Sequence, residues 1–270
     1  NNEKLILDLR LNYLDKYVEK FILVESKYDH QGNIKKNFFK IKDFLRYEKK
    51  IIHLHVNQFP SNISNWEREN YQRNYILNAL EDLSDEDFVM ISDVDEIPNL
   101  ENINLKQIKN QIILFEQEIF YYKLNRYLPN FTWYGTKACK KKYLINPQWL
   151  RSMKSKKYSF WRIDAYFSNK KYKNINFIKN GGWHFTNIKT PEDIHFKMLN
   201  FAHYLEYEKS KITLDDLKKK INNHEVLYDH SLDKSDQNKW KSGSKLHVLD
   251  DSLLPLYVAN NRDKYREWLA

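Results

Sequence analysis

Phe88-Val89-Met90-Ile91-Ser92-Asp93-Val94-Asp95-Glu96-Ile97-Pro98 runs from four apolar residues into a cluster of acids and stops at a proline. A short apolar run bounded by polar residues predicts a buried strand. Pro98 ends it, because proline has no N–H for a ladder. Asp93 and Asp95 stand two apart at the end of that strand, so extended backbone points both to one side. Together they offer hard oxygen ligands suited to Mg2+ or Mn2+. A divalent ion held there would bridge a nucleotide diphosphate and neutralise it as it leaves.

Other readings of the stretch compete. Paired aspartates at a strand end are also ordinary turn residues in α/β proteins. An EF-hand loop needs Gly where Pro98 stands and Glu where Asn104 stands, and fails on both. A phosphatase of the haloacid dehalogenase type also sets Asp-x-Asp after an apolar strand. It would need Thr or Val in place of Ile97, and its motif normally opens the chain.

Working outward, Leu7, Leu11, Leu14 and Val18 recur at helical spacing and predict an amphipathic helix over 3–18. Phe21 to Val24 reads as a buried strand, 36–46 as a short helix, and Ile51 to Val56 as a second strand. A longer helix is expected from Asn65 to Leu83, with Ile76, Leu80 and Leu83 on one side. With Phe88 to Ile91 as the third strand, this order predicts an α/β fold: a Rossmann-like, mainly parallel sheet with helices on both faces. Ligands bind such sheets outside the carboxyl ends of the strands, where Asp93 and Asp95 fall.

Beyond residue 110 the pattern is less regular. Ile112 to Phe115, Ile119 to Leu124, Ser159 to Phe167 and Ile175 to Ile178 are strand-like. Thr190-Pro191-Glu192-Asp193 is a strong helix start: a capping residue, proline at the first helical position, then acids. Ile194, Met198, Phe201 and Leu205 carry its apolar stripe onward. Residues 228–245 read as a polar surface loop, and Pro255 opens a terminal helix. No internal repeat or linker divides the chain.

The chain of 270 residues is long enough for a sizeable core. Its 41% hydrophobic content and only 5 Gly and 6 Pro exclude a disordered or low-complexity protein. An excess of 45 Lys+Arg over 36 Asp+Glu, a net charge of +9, draws anions such as nucleotide diphosphates, nucleic acids and acidic membranes. Nucleic-acid binding accounts for the charge and the tyrosines. It leaves the acidic motif unexplained, and the lysines fall in loops rather than along one helix, so no nucleic acid is expected. The single Cys139 forbids an internal disulfide and points to a reducing, cytoplasmic setting. No apolar run approaches the ~20 residues of a membrane helix. The chain opens on Asn1 rather than Met, so a preceding strand or anchor is expected to have been cut away.

Three further features bear on chemistry. In Gly181-Gly182-Trp183-His184-Phe185 the glycines allow close backbone approach to a ligand, and His184 either supplies a nitrogen to the same ion or packs as a core histidine. Arg73 lies on the inward face of the helix from Asn65, where it meets a phosphate or forms a buried ion pair. His53 and His55 alternate on a strand and share a face, as metal ligands or as surface decoration.

Taken together these residues resemble glycosyltransferase family 17, the family of the β-1,4-mannosyl-glycoprotein N-acetylglucosaminyltransferase. Asn2-Glu3-Lys4-Leu5-Ile6-Leu7-Asp8-Leu9-Arg10-Leu11 is similar to its opening "NE-x-x-LLE-x-RL", and Phe21 to Ser26 to its "FVIVES" strand. Asp93 to Pro98 matches its "D-x-DEIP", and Gly182 to Thr186 resembles its "GWHxS" with Thr for Ser. Thr190-Pro191-Glu192 and Lys197 follow at the family's spacing, and Leu254 through Leu269 resembles its closing helix. The strand that usually precedes the "NE" element is absent here or cut off.

The resemblance implies a single domain of GT-A type over 1–270, with 1–110 as the nucleotide-binding half and 111–270 as the acceptor-side half. It implies inverting transfer of a sugar, GlcNAc, from a UDP-sugar to a hydroxyl of a glycan or glycolipid, at most at a peripheral membrane surface. By the same resemblance Asp93, Asp95 and His184 hold the metal and diphosphate, while Glu3, Arg73 and Trp183 line the donor pocket. Lys197 faces a phosphate or the solvent. Glu192 is the candidate base, with Glu118, Asp164 and Glu96 as open alternatives.

Overall fold

The structure, a computed structural model, describes residues 3–29, 32–35, 39–156, 158–159, 161–165, 167–171, 174–200, 204–230, 232, 236–241, 243–250 and 253–270. Helix α1 (Glu3–Leu14) buries Ile6, Leu9, Leu11, Tyr13 and Leu14. It stops short of residue 18, and the Tyr17 N–H closes back on the Leu14 carbonyl at 2.9 Å. Strands β1 (Phe21–Ser26) and β2 (Ile51–Val56) pair in parallel, with Phe21 opposite Ile51. Of the helix expected over 36–46, the described part forms two 3-10 turns, Ile41–Asp43 and Leu45–Tyr47; residues 36–38 lie outside the described ones.

Helix α2 (Asn65–Asn74) begins at a capping box, in which Ser64 and Glu67 satisfy each other's backbone N–H groups. At Tyr75 it tightens into a 3-10 turn, Tyr75–Ala79. Three residues per turn instead of 3.6 rotate the apolar stripe. Leu80 is buried as expected, whereas Leu77 is left 41% exposed.

The remaining strands are β3 (Phe88–Ile91), β4 (Glu96–Pro98), β5 (Ile112–Phe115), β6 (Gln117–Tyr121), β7 (Arg126–Trp133), β8 (Lys137–Lys140), β9 (Ile175–Ile178), β10 (Gly182–Thr186) and β11 (His247–Val248). They form a four-stranded sheet, β3-β8-β5-β9, and a five-stranded sheet, β11-β7-β6-β10-β4, beside the β1-β2 pair. The expectation of a mainly parallel sheet is corrected here: β1-β2, β6-β10 and β5-β9 are parallel, and the other pairings are antiparallel. Successive short strands on brief connections, such as β6 and β7, have no room for the long crossover that parallel pairing needs.

Helices α3 (Pro147–Ser152), α4 (Pro191–Asn200), α5 (Tyr204–Ser210) and α6 (Leu214–Asn222) cover the sheets, and α7 (Leu256–Asn260) and α8 (Arg262–Tyr265) pack near α1. On α4, Ile194 and Met198 are buried as predicted; Leu205 falls on α5 and is 55% exposed, and Phe201 lies outside the described residues. The run 159–167 holds no strand among its described residues, only the 3-10 turn Ile163–Ala165. Within 228–245 a 3-10 turn, Gln237–Trp240, buries Trp240. The largest apolar core draws on Ile6, Leu9, Phe21, Ile97, Phe120, Trp183 and Tyr265, so residues from both ends of the chain share it. Among the described residues no helix is long and apolar enough to cross a membrane.

Candidate active site

β3 ends at Ile91, and the next residues turn instead of staying extended: the Glu96 N–H bonds the Asp93 carbonyl at 3.1 Å. The turn overrides the alternation expected for Asp93 and Asp95 and sends their carboxylates to different partners. Asp93 is gripped from two sides, by Arg73 of α2 at 3.3 Å and Arg151 of α3 at 2.7 Å. Asp95 faces His184 Nε2 of β10 at 3.8 Å, and its carbonyl accepts from the Phe185 N–H at 2.8 Å.

The turn is fixed from below by Glu96, which is fully buried. Its carboxylate accepts from Trp133 Nε1 (2.7 Å), from the Asp93 N–H (2.8 Å) and twice from Arg151 (2.7 Å each). Gly135 makes room for this, since a Cβ there would lie 2.3 Å from the Glu96 carboxyl carbon. Arg10 of α1 adds three bonds, to the Glu96 carbonyl (2.6 Å), the Asp93 carbonyl (3.3 Å) and Ser92 Oγ (2.6 Å). Guanidinium donors in this number hold the backbone and both carboxylates in one geometry.

His184 stacks on Trp133 with ring centroids 4.9 Å apart, and its Nδ1 is buried without a partner among the described residues. Burial works against the imidazolium, yet Asp95, with Glu96 and Asp93 behind it, outweighs that and raises the His184 pKa. Burial likewise opposes the Asp95 carboxylate, but His184 and then Lys197 hold its pKa below the ordinary carboxylate value.

On the far side of Asp95 is a cavity of about 20 Å3, bordered by Asp95, Glu3, Asn187, Lys189 and Lys197 among others. A void of that size admits a single water or ion. Asn187 is 3% exposed, adopts a left-handed φ of 54°, and keeps its Oδ1 buried without a partner among the described residues. Burial, then Glu3 acting against it and Lys197 with it, leaves the Lys189 pKa below the usual lysine value.

The structure thus brings Glu3, Arg73, Asp93, Asp95, His184 and Lys197 to one region. It packs Trp183 differently: the indole is 8% exposed, donates to the Leu253 carbonyl at 2.9 Å and meets Tyr13 edge-on at 5.2 Å. Glu192 pairs with Lys218 of α6 at 2.9 Å, which lowers its pKa, and it does not border the cavity. Of the alternative bases, Glu96 is consumed by its four bonds, and Asp164 is held by Arg162 (2.8 Å) and Lys171. Glu118, opposite Trp183 in the β6-β10 ladder, has a pKa raised by its surroundings. The His53 and His55 rings lie 4.0 Å apart beside Glu25, 3.5 Å from His53 Nε2.

Sequence reasoning missed Arg151, Lys189 and Asn187, and gave Arg10 no role. Asn146-Pro147 repeats the cap-plus-proline signal of Thr190-Pro191, and it starts the helix that carries Arg151. No comparable signal marks Lys189 or Asn187. Among the described residues no group of three or more His, Cys, Asp or Glu is arranged to hold a metal. Two acidic residues, Asp95 and Glu3, do border one cavity together with Lys189 and Lys197, and the hard oxygens of the acids suit Mg2+ or Mn2+. The chain matches the model of Glycosyltransferase family 17 over residues 1–270, its whole length. No curated protein and no solved structure matches it.

Proposed function

We propose, from the premise that this chain belongs to glycosyltransferase family 17, that it is a metal-dependent, inverting glycosyltransferase of GT-A type. In this reading it moves a sugar, GlcNAc, from a UDP-sugar to a hydroxyl of a glycan or glycolipid. The observation that carries it is the gathering of four cations at the turn after β3: Arg73 and Arg151 on Asp93, and Lys189 and Lys197 beside Asp95. Such a cluster suits a diphosphate, whose charge grows as the sugar departs.

The chain's own residues divide the work. Arg73 and Arg151 keep Asp93 in place, and Lys189 and Lys197 put positive charge where the leaving diphosphate develops its own. Glu3 borders the same cavity, while Trp183 and Tyr13 pack edge-on in the core. When bound at the Asp93–Asp95 turn with His184 beside it, Mn2+ or Mg2+ supplies Lewis-acid neutralisation of the departing UDP. A glycolipid acceptor would bring the basic surface of this cytoplasmic, membrane-peripheral enzyme against the lipid.

Single displacement also needs a base for the acceptor hydroxyl, and a base works best with a pKa near the operating pH. Glu192 has the family's sequence position, but Lys218 pulls it the wrong way. Burial shifts Glu118 in the useful direction, but in the β6-β10 ladder it shares the face of Trp183 and not that of His184. UDP release from UDP-GlcNAc with Mn2+ tests both the reading and the base. The carboxylate whose Gln variant loses about a hundredfold in turnover is the base; Glu118→Gln and Glu192→Gln both within a few-fold of the parent would place it elsewhere. No UDP release by the parent from any UDP-sugar would remove the reading.

A further inference from the structure

We propose that the loop between α3 and β9 docks the protein on an anionic phospholipid bilayer, seating Trp161, Ile163 and Phe167 at the lipid interface with basic residues on the headgroups. Docking itself stands apart from the transferase reading; its meaning, an acceptor borne by lipid, rests on that reading.

The loop is built the wrong way round for water. Trp161, Ile163 and Phe167 are 78%, 71% and 88% exposed. The charged residues among them are the better covered. Asp164 pairs with Arg162 at 2.8 Å and with Lys171, and the side chains of Arg162, Asp164 and Lys171 are 53%, 47% and 30% exposed. Both cations also lie against the Tyr158 ring, 5.4 and 5.7 Å from its centroid. The polar contacts are satisfied within the loop, and the apolar surface is left outside. Single exposed apolar side chains are ordinary, but a group of them rimmed by polar residues marks a surface that meets a partner.

Composition selects the partner. Lys154, Lys156 and Lys170 add exposed positive charge to Arg162 and Lys171, and Asp164 is the only acid in the stretch 154–171. A basic rim is drawn to anionic headgroups, and Trp settles at the boundary between water and acyl chains. Apolar burial and basic charge together set the strength of attachment to a bilayer surface.

The base of the loop is fixed. The Lys154 N–H bonds the Lys170 carbonyl at 3.0 Å and closes the two ends, and Trp149 Nε1 of α3 donates to the Asn169 carbonyl at 2.7 Å. Helix α3 also brings Arg151 to Asp93. The docking element is thus tied to the helix that braces the candidate site, which suits an acceptor presented from the bilayer.

The test is co-sedimentation of the full chain with phosphatidylcholine vesicles, with and without phosphatidylserine. The variants are the double substitutions Trp161→Ser with Phe167→Ser, and Lys154→Glu with Lys170→Glu, with thermal melting to check that each folds. The parent should bind the phosphatidylserine vesicles, less so as salt rises, and each variant should partition about tenfold or more weakly. No binding by the parent overturns the proposal, and so does parent-like binding by the Trp161/Phe167 variant. Sedimentation velocity without lipid should give one and the same state for parent and variant; an oligomer that the Trp161/Phe167 variant dissolves would give the surface to a second copy and overturn lipid docking. Vesicle binding by a parent that releases no UDP from any UDP-sugar upholds the docking and removes the transferase reading.

Discussion

At the scale of single residues, Glu96 organises the site more than either aspartate of the motif. It is fully buried, and Arg151 is the only cation among the described residues that forms an ion pair with it. Arg151→Ala would leave that carboxylate buried and unpaired, a change that costs about 3–5 kcal/mol. Urea unfolding of the variant should show a loss of that order, and a loss below about 1 kcal/mol would mean that water reaches Glu96. His230 gives a second prediction, in pH. Burial, then repulsion from His184, pulls its pKa from 6.5 to about 4, against a small opposing pull from Asp229. The folded-state pKa lies below the unfolded one, so between pH 6.5 and 4 the unfolded chain binds a proton that the folded chain does not. Stability is therefore lost as the pH falls through that window. His230→Gln should flatten this limb in urea midpoints measured across it; an unchanged slope would place the acid sensitivity elsewhere. The grouping of Asp93, Asp95, Arg73 and His184 came from the family resemblance, and the structure brings these residues into one region. The split between Asp93 and Asp95 was not legible in the sequence, since it depends on a turn that Glu96 and Arg10 fix from distant elements.

At the scale of elements, two short devices hold the motif's flanks. The Ser64–Glu67 capping box starts α2, which carries Arg73 to Asp93. Ser64→Ala should cost about 1 kcal/mol in thermal unfolding, and no change would mean that packing alone sets the helix start. On the other flank β4 and β10 meet at Gly182, whose φ is 131° and whose added Cβ would lie 2.1 Å from the Ile97 carbonyl. Gly182→Ala should therefore disrupt the β4-β10 pairing, seen as a melting temperature lowered by more than Ser64→Ala lowers it. Lys137 of β8 donates to the Arg151 carbonyl at 2.7 Å and the Met153 carbonyl at 2.5 Å, which secures the end of α3 below Asp93. The strands β1, β2 and β3 were readable as apolar runs, and α1 by its spacing. The partners of β3 were not, because β8 lies some fifty residues on and nothing in either run names the other.

At the scale of the whole molecule, a basic chain of net charge +9 folds so that its cations meet two aspartates at one turn. The family was legible end to end, since motif order survives in the sequence even where sheet topology does not show. The mixed sheets were not, because strand direction depends on connections as much as on strand content. The transferase reading requires this turn to bind a nucleotide diphosphate together with a divalent cation. Calorimetric titration of UDP and UDP-GlcNAc into the protein, with Mn2+ and then with EDTA, alongside Asp95→Ala, tests it most directly. Binding is expected with Mn2+, strongly weakened by EDTA and abolished by Asp95→Ala. Equal binding in the presence of EDTA and in the variant, or none in the parent protein, would contradict it.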